Sequence, residues 1–307
     1  MAKTARKQGM KEVALLSLNK LTDCAMDVSD AFAKLREQIL IYRDSDNQNE
    51  LRGGLNLVNT TNLSFFDAAQ KSELFRLKGT FLNSLRGRRK ANQAYCQSVQ
   101  ICPTFSKAWL SWGALCSTLA EIEIKTNSFS EAQKSSSAGK KPAQYLAQAM
   151  GCYLQAIQCG SREWDRINLP KCLWMLSWDG NNPGLLCQTL EARGADLPAF
   201  VWLPWVPQLL TSLGRIEARA VKSILKGLVM QYPQAIYYSL RAFYLERRDA
   251  ERAHRGKPPS AHAQPTTAVM HAEELMSILR KSHPLLWSSL ETVLEELIVR
   301  FRPSLEE

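Results

Sequence analysis

Apolar positions along this chain recur at helical spacing almost from end to end. Between Val28 and Tyr42 they fall at 28, 32, 35, 39 and 42, steps of four and three that place all five on one face of a helix. The same spacing predicts helices over 71–85, 87–102, 106–124, 169–177, 183–193, 198–213, 216–231, 233–247, 269–281 and 283–302. In the last of these Leu286, Leu290, Val293, Leu294, Leu297 and Phe301 form the apolar stripe. Asp44 to Glu50 is polar and reads as a loop leading into Gly53-Gly54, and 55–66 as a short helix or turn. No alternating apolar/polar run is bounded by hairpin turns, so the pattern predicts about a dozen helices and no sheet.

Two pairs of these helices share a residue logic. Phe75, Gly79 and Leu82 are followed by Ala91, Tyr95 and Ser98, with Pro103 closing the unit. A glycine permits close helix approach, small residues receive the partner's large ones, and the proline stops the second helix. Trp109 stands thirty-four residues after Phe75 and Gly113 four residues later, and Ala149, Tyr153 and Ala156 repeat the small–aromatic–small spacing. That is the period and grammar of tetratricopeptide helical hairpins. The fold class expected is therefore all-α, an antiparallel helical-hairpin solenoid. Ser/Lys/Gly-rich residues 126–142 and polar, proline-bearing residues 249–267 read as mobile surface loops.

Composition narrows the class. The chain has 307 residues, 45% of them hydrophobic and 22% charged, which fits a folded protein and excludes a wholly disordered one. No apolar run approaches the roughly 20 residues that cross a bilayer, so no membrane contact is expected. The N-terminus lacks the small-residue cleavage site of a signal peptide. The net charge of +10 concentrates in residues 51–100 and 201–250, densest at Arg86-Gly87-Arg88-Arg89-Lys90. Such a cluster suits nucleic acid, an import signal or a solvated turn. No aromatic interleaves it, so the turn is preferred and no specific nucleic-acid contact is expected.

Candidate chemistry is sparse. The eight cysteines (24, 96, 102, 116, 152, 159, 172, 187) form no CxxC pair, and the four histidines (254, 262, 271, 283) lie far from them in sequence. Zinc ligands need close pairs, so neither metal nor disulfide framework is expected, and the compartment reads as reducing. Phosphate-binding glycine loops, kinase catalytic motifs and a GxSxG elbow are all missing. Glu295-Glu296 and Glu306-Glu307 are adjacent pairs that diverge around a helix and make no acid/base dyad. Trp174, Trp178, Trp202 and Trp205 read as core packing rather than a ligand box. Catalytic residues, cofactors and metals are all expected to be none.

Several ordered blocks resemble a known family. Trp202 to Leu213 (WLPWVPQLLTSL), a spacer helix and then Tyr232 to Tyr238 (YPQAIYY) are similar to the late part of the FAT domain of phosphatidylinositol-3-kinase-related kinases, in the version of its TRRAP-like branch. The stretch from Leu74 to Ala91 with Lys107 to Gly113, the block Lys171 to Asp179, and His283 through Ser304 resemble that branch too. The likeness covers roughly residues 25–307. It implies a tetratricopeptide-like helical scaffold in the nucleus. The branch's members are subunits of SAGA-type histone acetyltransferase complexes that receive transcription activators, and their kinase-like domain lacks the residues for phosphoryl transfer. Their long N-terminal HEAT-type solenoid and kinase-like domain have no counterpart here, so the expectation is a fragment or a truncated gene model. The expected organisation is a basic N-terminal segment at 1–24, for which disorder stays open, a FAT-type solenoid at 25–248, a mobile loop at 249–268 and a C-terminal helix pair at 269–307. Two alternatives stand beside the scaffold: the FAT segment of an active kinase of the same superfamily, and a free tetratricopeptide adaptor for peptide tails. An unrecognised enzyme has no positive support.

Overall fold

A computed structural model describes residues 1–21, 26–129, 140–160, 162–179, 184–254 and 267–301. Among them are fifteen α-helices and no strand. They are α1 (Ala2–Lys7), α2 (Lys11–Asn19), α3 (Val28–Arg43), α4 (Gln48–Thr60), α5 (Ala68–Ser84), α6 (Arg88–Ile101), α7 (Ser106–Phe129) and α8 (Lys140–Gln158), then α9 (Arg162–Leu176), α10 (Leu185–Gly194), α11 (Val206–Thr211), α12 (Ala218–Gln231), α13 (Pro233–His254), α14 (Thr267–Ser282) and α15 (Pro284–Arg300). Short 3-10 turns occupy Leu63–Phe65, Ala199–Trp205 and Ser212–Gly214. The chain divides into two compact units, Met1–Pro170 and Lys171–Glu307.

In the first unit consecutive helices pair. Asp67 starts α5 with a reciprocal capping box, its carboxylate accepting from the Gln70 backbone while the Gln70 side chain accepts from the Asp67 backbone. Leu74, Leu77 and Phe81 of α5 then bury against Ile39, Leu40, Leu51 and Val58. The opposite face of α5 meets α6 as the glycine spacing predicts. A Cβ on Gly79 would lie 2.7 Å from the Tyr95 ring, and one on Gly113 in α7 would lie 2.9 Å from the Tyr153 ring in α8. Each tyrosine hydroxyl reaches a hydroxyl on the helix it packs against, Thr80 at 3.3 Å and Ser117 at 3.2 Å. Ser72 and Ser98 each donate to the other's backbone carbonyl, at 2.9 and 2.6 Å. These polar atoms are buried in pairs, which avoids the cost of leaving a donor unmet.

These contacts set up a test of the packing. Gly79→Leu and Gly113→Leu are each expected to cost about 1–3 kcal/mol by overpacking. Gly53, where an added Cβ meets nothing within 4 Å, is the control: Gly53→Ala is expected to raise stability by about 0.5–1 kcal/mol. Thermal unfolding followed by far-ultraviolet circular dichroism checks both. Equal midpoints for Gly79→Leu and the parent would refute the close approach.

Several expectations need correction. The polar stretch 44–50 is loop only as far as Asn47. Asn47 caps α4, and the helix runs on through Gly53-Gly54. Gly54 is kept there by packing, since a Cβ on it would sit 2.6 Å from Phe81 and 2.7 Å from the Tyr42 Cβ. Residues 1–24, for which disorder stayed open, contain α1 and α2, and Ala5, Ala14 and Leu18 bury with Ile41 of α3. Residues 126–129 continue α7 and 140–142 open α8, while 249–254 continue α13 and Thr267 opens α14, so both expected loops are shorter at both ends. Residues 130–139 and 255–266 lie outside the described residues.

In the second unit α12 is the central element. Ala220, Val221, Leu225, Leu228 and Val229 are all buried on it, and it neighbours α10, the 3-10 turn at Ala199–Trp205, α13 and α14. The C-terminal pair expected at 269–307 is thus joined to the preceding helices through α12 and α13.

Candidate interaction surfaces

The groups singled out for possible chemistry do not converge. Cys116, Cys152, Cys172 and Cys187 are buried and Cys96, Cys102 and Cys159 half-buried; Cys24 lies outside the described residues. Burial pushes the thiols of Cys116, Cys172 and Cys187 up to about 12, which keeps them protonated and poor nucleophiles. Among the described residues no group of three or more His, Cys, Asp or Glu is placed to hold a metal. None of the described helices is long and apolar enough to cross a membrane. Glu295 and Glu296 are exposed on α15, and Glu306-Glu307 fall outside the described residues.

The tryptophans divide. Trp202 is buried, as core packing requires, and Trp205 is half-buried. Trp174, expected in the core, is 51% exposed and meets Trp178 edge-on with ring centroids 6.0 Å apart. Its neighbours Cys172, Met175 and Leu176 take the inward face of α9 instead. The two rings do lie together, but only Trp174 faces outward, and Trp178 is half-buried in the turn after α9.

The basic cluster lies on an exposed turn between α5 and α6. Arg86 adopts a left-handed conformation (φ 62°) after α5, and Arg88, Arg89 and Lys90 form the exposed first turn of α6.

The stripe on α15 is the largest departure from core packing, for α15 has no buried residue. The inner side is held by a polar clamp. Glu291 accepts from Tyr237 Oη at 2.5 Å and from Arg241 Nη2 at 2.8 Å, and Arg241 holds its carboxyl below the usual range. Trp287 packs edge-on to Tyr237 with the Arg280 guanidinium 4.9 Å from its ring centroid. Beyond the clamp Val293, Leu297, Ile298, Val299 and Phe301 stand open to solvent, Phe301 at 74%. In the first unit α2 likewise leaves Val13 and Leu16 exposed. Exposed apolar side chains grouped along one helix are candidates for contact with another protein surface.

What these features define is an all-helical protein of paired helices that presents surfaces and gathers no catalytic constellation among its described residues. Residues 1–174 match the FAT domain family, and the chain belongs to it as a TRRAP-like FAT region. It is 33% identical over its whole length to the TRA1 subunit of the SAGA and NuA4 acetyltransferase complexes of Saccharomyces cerevisiae. It is 30% identical over 96% of its length to the human transformation/transcription domain-associated protein, and 30% identical over 98% to the Tra1 subunit of the same two complexes in Schizosaccharomyces pombe. The chain spans 8%, 7% and 9% of these relatives' own lengths.

Proposed function

We propose that this chain is a non-catalytic scaffold segment of a TRRAP-like subunit in a SAGA- or NuA4-type histone acetyltransferase coactivator, acting in the nucleus. Its helical hairpins form a stretch of a longer solenoid, and its partners are proteins: other subunits of the complex and transcription activators. The observation that carries this reading is the match along the entire chain to relatives named as subunits of those complexes. The open helix faces of α2 and α15 agree with it, because a solenoid unit buries its faces only on its neighbours.

The test is affinity purification of the full-length protein from nuclear extract. Recovery of histone acetyltransferase subunits is the expected result. Recovery of peptide-tail clients with no acetyltransferase would favour the adaptor instead. Phosphoryl transfer by the purified full-length protein would favour an active kinase.

A further inference from the structure

Two of the half-buried cysteines meet at one backbone carbonyl. Cys102 caps the C-terminal end of α6, and Cys159 follows the last residue of α8. Residues 102 and 159 stand 57 apart in sequence, yet the Cys159 thiol donates to the carbonyl of Pro103, the residue next to Cys102, at 3.4 Å. Trp109 Nε1 donates to the same oxygen at 2.7 Å and holds it in place. The Thr104 hydroxyl lies 3.5 Å from the Cys102 sulfur and can donate to a thiolate there. The two sulfurs also sense each other, for burial pushes the Cys159 thiol up and Cys102 pushes it the same way.

The other described cysteines are placed differently. Cys116, Cys152, Cys172 and Cys187 are buried, and Cys96 is half-buried but sits well back along α6. Access to solvent together with a second thiol nearby is the arrangement that redox-sensing cysteines share. Both residues lie just past the end of a regular helix, where a small backbone shift can bring two sulfurs to bonding geometry.

We infer that Cys102 and Cys159 are an oxidation site, joined by a reversible disulfide when the chain meets hydrogen peroxide. The Cys102 thiolate attacks one peroxide oxygen. The S–O bond forms, the O–O bond breaks, and hydroxide leaves to take up a proton as water. The Cys159 sulfur then displaces the oxygen of the sulfenic acid, so the S–S bond forms, the S–O bond breaks and a second water leaves. Two thiols give up two electrons and two protons, and the peroxide is reduced to two waters. The bond ties the hairpin of α5 and α6 to that of α7 and α8, and in a reducing compartment it is transient rather than structural. The inference goes beyond the scaffold reading and stands apart from it, since it requires only the purified chain and no acetyltransferase partner.

The experiment uses the complete 307-residue chain, fully reduced and then treated with hydrogen peroxide at low protein concentration. Remaining thiols are blocked with N-ethylmaleimide, and proteolytic fragments are compared by mass spectrometry with and without dithiothreitol. The expected product is an intramolecular link between Cys102 and Cys159, absent in Cys102→Ser and in Cys159→Ser and retained in Cys96→Ser. Dimedone present during oxidation should label Cys102 about fivefold or more in Cys159→Ser relative to the parent, because the sulfenic acid there has no thiol to meet. The linked protein should unfold about 5 °C or more above its reduced form, since the bond constrains the unfolded chain. Cys102→Ser given the same treatment should show no such rise. Links scattered among the other cysteines, dimedone labelling of Cys102 no greater in Cys159→Ser than in the parent, or equal midpoints for the linked and reduced forms would each overturn the assignment.

Discussion

Asp179→Ala is expected to cost about 3 kcal/mol, a large part of the stability of an ordinary domain. Its carboxylate is almost fully buried at 1% exposure and accepts from three backbone amides at the start of α10: Leu186 at 2.9 Å and Gly184 and Cys187 at 3.2 Å. Gly184 precedes α10 in a left-handed conformation (φ 93°) and has no side chain to cap with. Asp179 therefore does a distant capping residue's work, and its negative charge sits at the positive end of the helix. Alanine would strand the three donors with no acceptor where water has little access. Asp179→Asn keeps one carbonyl oxygen and should recover part of the loss. Chemical denaturation gives the totals, and amide hydrogen exchange at Leu186 and Cys187 locates them. A loss below about 0.5 kcal/mol, the scale of an ordinary surface substitution, would refute the capping role.

Asp179 also shows where sequence reading stops. The helix after it was legible, because its apolar spacing is local. Its cap was not, because the carboxylate reaches amides five to eight residues further on, outside the local spacing of capping signatures. The glycine–tyrosine contacts were legible for the opposite reason: a glycine on one helix leaves a gap that the aromatic at a fixed spacing on the next helix fills. Gly53-Gly54 misled, since paired glycines signal a break, and only the close approach of Phe81 from α5 and Tyr42 from α3 accounts for a glycine kept inside α4 at position 54. Trp174 misled in a different way. Periodicity states which residues share a face but not whether that face turns inward, and the apolar stripe of α15 carries the same ambiguity. Exposure had to come from the fold.

The second large effect concerns a chain of charges that no motif announces. Arg6 of α1 donates to Glu37 of α3 at 3.1 Å and to Asp44 at 2.7 Å. Arg36, beside Glu37, reaches Glu73 of α5 at 3.2 Å, and Arg76 Nε donates to the other Glu73 oxygen at 2.6 Å. Glu73 is 5% exposed and lies between two guanidinium groups, so its removal leaves two partly buried cations without their shared anion. Burial alone would raise its carboxyl, but Arg76 and Arg36 together outweigh burial and hold it below the usual glutamate range. Glu73→Ala is therefore expected to cost about 3 kcal/mol, the scale for breaking a buried pair on one side. Glu73→Gln keeps the shape and loses the charge, so it isolates the electrostatic part. Because the folded pKa is depressed, that part is fully present above the unfolded glutamate pKa, about 4.3, and is lost as pH falls through the folded value. Urea unfolding of parent and Glu73→Gln at stepped pH should show a constant gap from neutral pH down to about 5 and a gap that narrows below it. The other carboxylates titrate alike in both proteins and cancel in the difference. A gap independent of pH would mean that Glu73 acts by packing alone, and the ion chain joining α1, α3 and α5 would then hold nothing together.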